Sequence, residues 1–319
     1  MRIGFDMMGG DHAPQECVNG LKLFEADADP GLELVLIGKK ALILPAMESC
    51  GCKSLNYSIV DAQEIIEMDD SPTRAFAQKP NSSIAIGFSL LKEKKIDAFV
   101  SAGNTGAMLV GTLMSVKTVD GVSRPAIATV IPRQNGSTGI LLDVGANADC
   151  KPEHLVQFAI LGSLYSKHML GYKNPKVALV SIGEEEGKGN ILVQQAYEQL
   201  KTLSGKINFT GNVEGRHIFT DLADVMVCDG FTGNVVLKLG ESFYDLLKGR
   251  SISDPFVDSL NYENYGGMPI IGVNAPVIIG HGISSAKAFR NMLIQARDLV
   301  KTDLIHIFQN EFSLIREAN

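Results

Sequence analysis

What most constrains this chain is an alternation. Short runs rich in Val, Ile and Leu recur along its 319 residues: RIGFD, LELVLIG, YSIVDA, DAFVSAGN, AIATVIP, GILLDVGAN, KVALVSIG, NFTGNV, DVMVCDG and PVIIGHG. Most of them stop on Gly, Asn, Asp or Ser. Between many lie helical patterns, with apolar residues at i, i+3 and i+4 over 81–95, 154–170, 190–201 and 286–312. Strands apolar on both faces that alternate with helices predict an α/β fold with a mostly parallel, covered sheet. Asn81-Ser82-Ser83, Lys151-Pro152-Glu153 and Ser284-Ser285 mark helix starts, where a short polar side chain or a proline deals with unpaired first-turn amides. No internal repeat and no Ser/Gly linker occurs, so residues 1–319 read as one functional domain in which any division into lobes involves crossings of the chain. The stretch 239–267 is the least regular and reads as an exposed excursion or an interface element.

Charge and cysteine usage narrow the function classes. Lys and Arg number 29 against 36 Asp and Glu, a net charge of −7, which disfavours a general nucleic-acid-binding surface. An anionic substrate therefore needs a local cationic or amide-lined site. The five cysteines, Cys17, Cys50, Cys52, Cys150 and Cys228, are irregularly spaced, and the single close pair has no second pair to complete a zinc site. Reduced thiols in a cytoplasmic protein are the expectation. The N-terminus carries Asp6 and Asp11 inside its first apolar stretch, unlike a secretory signal. No apolar run reaches the roughly 18 residues of a spanning helix, so any membrane contact is expected to be peripheral.

In doubly wound sheets, ligands sit beyond the carboxyl ends of the strands, where loops offer backbone N–H groups and the next helix offers its positive dipole end. Six polar glycine loops fall at that position: Gly9-Gly10-Asp11-His12, SAGNTGA at 101–107, DVGAN at 143–147, GEEEGKGN at 183–190, DGFTGN at 229–234 and GHGISS at 280–285. Together they predict an anion cradle. SAGNTGA and DGFTGN share one grammar, glycine for close backbone approach and Asn, Ser or Thr as donors to phosphate oxygens. GEEEGKGN is not a nucleotide-binding P-loop, since three residues rather than four separate Gly183 from Gly187 and Gly189 follows Lys188. Lys188 still offers one cation to an oxyanion, unless it is simply a solvated surface lysine.

His12 and His281 lie at strand exits, where a histidine binds phosphate or moves a proton, whereas His154, His168, His217 and His306 read as structural. Neither HExxH nor GxSxG occurs, which argues against a zinc hydrolase and a serine hydrolase. GHGISS lacks the third glycine of a dinucleotide fingerprint. Cys150 reads as a small helix-start residue rather than a nucleophile, and Glu184-Glu185-Glu186 as a solvated turn rather than a metal site. Neither a metal nor a cofactor is expected.

Taken together, MRIGFDMMGGDHAP, SAGNTGA, LLDVGANADCKPEHLVQFA, GNVEGR, DVMVCDGFTGNVVLK, NYGG and APVIIGHG resemble the bacterial phosphate acyltransferase family, PlsX, from Met1 to near Val300. The resemblance implies a two-lobed, three-layer α/β/α fold related to isopropylmalate dehydrogenase and phosphate acetyltransferase, in a protein that dimerises. It also implies transfer of a long-chain fatty acyl group from acyl carrier protein to inorganic phosphate, giving acyl phosphate for the first acylation of glycerol 3-phosphate by a membrane enzyme. The stretch 239–262 departs from the family, since many relatives carry a longer helical excursion there, associated with the dimer contact and with membrane attachment. A short-chain acyl-CoA donor and a non-catalytic subunit that binds phosphate or the carrier protein are the alternatives.

Phosphate is already anionic at neutral pH, so its attack on a thioester needs positioning and charge neutralisation more than a strong base. On this reading Asn104, Thr105, Gly106, Thr232, Gly233 and Asn234 hold phosphate, and His281 closes the site. Lys188 stabilises the oxyanion or the departing thiolate, and Asp229 orients Lys188 or a loop amide. Asp6, Gly9, Gly10, His12, Asn147 and Asn190 are assigned to the surrounding substrate loops. The acidic carrier protein requires a basic landing patch, for which Lys92, Lys94 and Lys95 are one candidate that a solvated helix end explains equally well.

Overall fold

The computed structural model describes residues 1–52, 54–203 and 205–317. In chain order the elements are β1 (Arg2–Asp6), α1 (Gln15–Phe24), β2 (Glu33–Gly38), α2 (Lys40–Cys50), β3 (Tyr57–Asp61), α3 (Pro72–Gln78), α4 (Ser83–Lys92), β4 (Ala98–Ser101) and α5 (Thr105–Gly111). They continue with β5 (Ala126–Pro132), β6 (Thr138–Leu142), α6 (Pro152–Met169), β7 (Lys176–Ser181), α7 (Ile191–Thr202), β8 (Asn208–Glu214), β9 (Val225–Val227) and α8 (Gly230–Gly249). The last are α9 (Pro255–Ser259), β10 (Met268–Ile271), β11 (Val277–Ile279), α10 (Ala286–Thr302) and α11 (Leu304–Glu317). Two compact units divide them, Met1–Thr118 with Tyr262–Ile305, and Val119–Asn261 with His306–Asn319.

The first unit has strand order β3-β2-β1-β4-β11-β10, parallel except for β10 against β11. Gly4 of β1 stands in register with Phe99 of β4, whose ring meets Phe88 of α4 edge-on at 5.2 Å. Phe5 points to the other face and meets Phe289 of α10 at 5.5 Å. The period-two alternation thus gives each face its own apolar set, and helices cover both. Because β1, β4 and β11 run the same way, the loops 7–12, 102–104 and 280–285 leave this sheet at one edge.

The second unit has strand order β5-β6-β9-β7-β8, parallel except for β5 against β6. Leu142 of β6 and Leu179 of β7 both stand in register with Val227 of β9, so β6 and β9 end level and β7 runs on to Ser181 at the same edge. The loops 143–147, 182–190 and 228–229 therefore share one edge. α6 crosses this sheet at Gly162, where a Cβ would press on Val225 and Leu142. Arg133 and Asp224, both buried, form an ion pair of 2.9 Å beneath the opposite edge, and Asp224 also accepts from the Lys176 amide at 2.6 Å.

Several expectations need correction. Residues 239–249 are not irregular, since α8 runs unbroken from Gly230 to Gly249, and only 250–267 are broken up, by α9 and a single turn at Tyr262–Asn264. The four glycines of α8 mask its helix signal, but Phe231, Val235, Leu239 and Phe243 keep i, i+4 spacing and no proline interrupts before Pro255. The single helix expected over 286–312 is two, because Asp303 takes the left-handed conformation at φ 54° and ends α10. β10 carries Pro269 in a four-residue run, which the sequence pattern passes over.

Candidate active site

In the second unit the chemistry gathers where α7 and α8 begin, at the ends of the neighbouring strands β7 and β9. Asn190 caps α7, its Oδ1 accepting from the Val193 amide at 2.9 Å. Asp229 caps α8, with Oδ1 accepting from the Thr232 amide at 2.9 Å and Oδ2 from the Thr232 hydroxyl at 2.9 Å. The Gly230 amide donates to the Asn147 carbonyl at 2.8 Å. Among the described residues, the first-turn amides of Ile191, Leu192 and Phe231 have no protein acceptor. Two long helices thus present unspent N–H groups and positive dipole ends at adjacent strand termini, an arrangement that attracts an anion.

The loop after β6 supports this edge. Buried Asp143 accepts from the amides of Ile127 (3.0 Å), Gly145 (3.2 Å), Ala146 (3.0 Å) and Asn147 (2.7 Å), and from the Asn147 side chain (2.9 Å). Burial raises its pKa from the ordinary carboxylate value, and these donors oppose the shift. Asn147 Nδ2 also donates to the Pro125 carbonyl at 2.8 Å, and Asn234 Nδ2 to the Val144 carbonyl at 3.1 Å. Gly233 sits so close to β6 that a Cβ would overlap the Asp143 carbonyl oxygen, while one at Gly230 would lie 2.6 Å from the Asn147 carbonyl. These glycines let a helix approach a strand end that any larger residue would hold away.

Lys188 is exposed in a turn closed by its own amide donating to the Glu185 carbonyl at 3.0 Å. Gly189, at φ 105°, brings this loop back onto β7, where a Cβ would lie 2.9 Å from the Ser181 hydroxyl. The neighbouring acids are engaged elsewhere, Glu186 with Lys201 and Glu184 with His217 at 3.3 Å. Burial pushes the Cys150 thiol up to about 11, which disfavours a thiolate nucleophile at neutral pH. His154 instead accepts from the Lys151 amide through Nδ1 at 3.1 Å, inside the first turn of α6.

In the first unit, Asp6 organises the strand ends. It accepts from the Ser101 hydroxyl at 2.7 Å and the Met8 amide at 2.9 Å, and burial raises its pKa. Ser101 in turn accepts from the Gly103 amide at 3.0 Å. Gly9 fits against Gly103, and the Asp11 amide donates to the Gly282 carbonyl at 2.7 Å beside Gly10, so three loops are joined. Asn104 is buried; its Oδ1 accepts from the Ala107 amide at 2.9 Å and its Nδ2 reaches the carbonyls of Glu67, Met68 and Asp70 at 3.0–3.2 Å. Thr105 and Gly106 open α5, with Gly106 packed against Pro72. His12 is exposed beside these loops, and the His281 ring lies 4.7 Å from that of Tyr262.

The structure thus gathers Lys188, Asn190, Asp229, Thr232, Gly233, Asn234 and Asn147 at the strand-end edge of one unit. It gathers Asp6, Gly9, Gly10, His12, Asn104, Thr105, Gly106 and His281 at the strand-end edge of the other. Many of these side chains act as caps and loop ties rather than pointing outward as donors. Asp143 was missed as the hub of its loop, although an Asp directly after an apolar strand in DVGAN is a visible signal. Lys92, Lys94 and Lys95 lie where α4 leads into the opposite, amino end of β4, and Lys95 pairs with Glu93 at 2.7 Å. Among the described residues no three His, Cys, Asp or Glu are grouped to hold a metal ion.

Comparison with known proteins places this geometry. Residues 1–307 match the family described as fatty acid synthesis protein. A phosphate acyltransferase of Halothermothrix orenii is 43% identical over 98% of this chain and 99% of its own, and one of Heliobacterium modesticaldum is 44% identical over 97% of each. In fold, the chain is similar to a phosphotransacetylase from Streptococcus pyogenes, with a TM-score of 0.67 at 18% identity, over 96% of this chain and 94% of that one. The EutD phosphotransacetylase from Staphylococcus aureus gives 0.61 at 15% identity, over 94% of each. With its α/β fold, its capped strand-end loops and relatives matched along nearly their whole length, the chain belongs to the phosphate acyltransferase family.

Proposed function

We propose that this protein transfers a long-chain fatty acyl group from acyl carrier protein to inorganic phosphate, releasing acyl phosphate for phospholipid synthesis. The observation that carries the reading is the pair of capped helix starts on adjacent strands, with the amides of Ile191, Leu192 and Phe231 unspent, in a chain of this family. A phosphate oxygen attacks the thioester carbonyl carbon, and the new C–O bond leaves a tetrahedral oxyanion. The unspent amides and the Lys188 ammonium offset its charge. Collapse breaks the C–S bond, and the carrier's thiolate leaves with the electron pair, taking a proton from solvent or a protonated side chain.

Thr232 and Asn234 serve this step mainly by fixing the α8 start and the 143–147 loop, and Asp229 by capping α8 rather than by touching phosphate. In the other unit, His281 and the Asn104–Thr105–Gly106 turn are assigned to substrate on the family resemblance. The protein works as a homodimer, and the exposed face of α8 bearing Val235, Leu239, Phe243 and Leu246 supports a contact there. It acts in the cytoplasm, peripheral to the inner membrane face, and supplies a membrane glycerol-3-phosphate acyltransferase. Among the described residues no helix is long and apolar enough to cross a membrane.

The test is to incubate the protein with palmitoyl-acyl carrier protein or palmitoyl-CoA, with and without phosphate, following thiol release and trapping acyl phosphate with hydroxylamine. Phosphate-dependent hydroxamate from the carrier-protein donor is expected. A preference for the CoA donor would reassign the substrate, and no hydroxamate from either donor would refute the transfer.

A further inference from the structure

The most exposed large apolar side chains among the described residues are Ile182, Ile191 and Phe231, at 82%, 74% and 68% of their full accessibility. They are not scattered. Ile182 directly follows β7, Phe231 is the second residue of α8 after β9, and Leu179 of β7 stands in register with Val227 of the parallel β9, so both residues leave neighbouring strands at the same edge of the sheet. Ile191 opens α7, which Gly189 returns to the Ser181 end of β7. Polar glycine loops are the last place where water-facing Ile and Phe are expected, because each exposed side chain forgoes its burial free energy. Two of the three, Ile191 and Phe231, also own amides without a protein acceptor.

We infer that Ile182, Ile191 and Phe231 form the entry subsite for the hydrocarbon tail of the acyl donor, next to the amides that hold its reacting carbonyl; this rests on the acyl-transfer reading above. A thioester with an apolar chain matches both halves of this edge at once. Its carbonyl oxygen, turning into an oxyanion, takes the N–H groups, while the chain beyond its first few methylenes runs over the three apolar side chains. A donor with a two- or four-carbon acyl group would leave most of the cluster wet. The cluster therefore sets chain-length preference rather than the chemistry itself.

The test uses Ile182→Ser and Ile191→Ser, singly and together, on the full chain, since both side chains are exposed and their replacement removes little buried apolar contact. The kcat/KM for hydroxylamine-trapped acyl phosphate is measured with butyryl-, octanoyl- and palmitoyl-acyl carrier protein. The palmitoyl-to-butyryl ratio should fall about tenfold in each single variant and further in the double. In parallel, affinity for the fluorescent fatty acid cis-parinarate, titrated without phosphate or carrier protein, should weaken. An equal loss for every chain length, or none, overturns the inference. So does a fall in oligomer mass with an unchanged ratio, which would make the cluster a contact between copies. If the unaltered protein forms no acyl phosphate from any donor, the transfer reading fails, and parinarate decides the subsite alone: undiminished affinity in the double variant overturns it.

Discussion

One substitution made twice in a single helix tests how α8 meets β6. Alanine is favoured over glycine in a helix by about 1 kcal/mol. At Gly240 nothing lies within 4 Å of the added Cβ, so Gly240→Ala should raise stability by about 0.5–1 kcal/mol. At Gly233 the same methyl overlaps the Asp143 carbonyl oxygen, a backbone atom on a loop already tied by Asp143 and Asn147. Either the helix or the loop must retreat. That breaks the Asn234–Val144 bond of 3.1 Å and the Gly230–Asn147 bond of 2.8 Å, each worth about 1 kcal/mol. Residual overpacking adds about 1–3 kcal/mol, so after the helix gain the net loss is about 2–4 kcal/mol. Denaturant unfolding followed by circular dichroism reads both variants against the unaltered protein, and hydroxamate formation reads the site. A Gly233→Ala protein with an unfolding midpoint at or above that of the unaltered chain would refute the close approach of α8 to the strand end.

Lys188→Ala should lower turnover about a hundred- to a thousand-fold with an unchanged melting temperature, because the side chain is exposed and, on our reading, acts as an oxyanion donor; near-normal hydroxamate formation removes it from the reaction. Asp6 has its pKa raised above 3.8 by burial, so the folded state holds its proton more tightly than the unfolded one. Its contribution is greatest below pH 3.8 and is lost as pH rises through the folded-state value. Asp6→Asn should therefore gain stability relative to the unaltered protein as pH rises from about 4, and a difference flat with pH contradicts the shift. Arg133→Met leaves buried Asp224 without its guanidinium and should cost about 3–5 kcal/mol by calorimetry, with part recovered when Asp224→Leu is added; a neutral single variant means the pair is not buried as described.

Most strands and the helices α4, α6, α7 and α10 were legible because their signals are local. A β-branched run ended by Gly or Asn needs no distant partner to be recognised, and β1, β2, β3, β5 and β7 stand within a residue or two of RIGFD, LELVLIG, YSIVDA, AIATVIP and KVALVSIG. The break at Asp303 was not legible, since the apolar spacing continues through it while one residue turns left-handed. Nor was the length of α8, whose glycines read as loop in isolation. Asn104 and Asn234 were legible as strand-end polar residues but not as ties to the carbonyls of Glu67 and Val144, which lie 37 and 90 positions away in the chain.

By itself, then, the sequence determined that strands alternate with helices and that glycine loops close the strand ends, because hydrophobic period and turn chemistry act over a few residues. The tertiary structure alone decided which of those polar side chains are spent on caps and ties, and which amides beside exposed Ile182, Ile191 and Phe231 are left unspent. The reason is physical: a buried hydrogen-bonding group takes whatever partner the packing brings near, and that partner is set by how strands are ordered in space rather than along the chain.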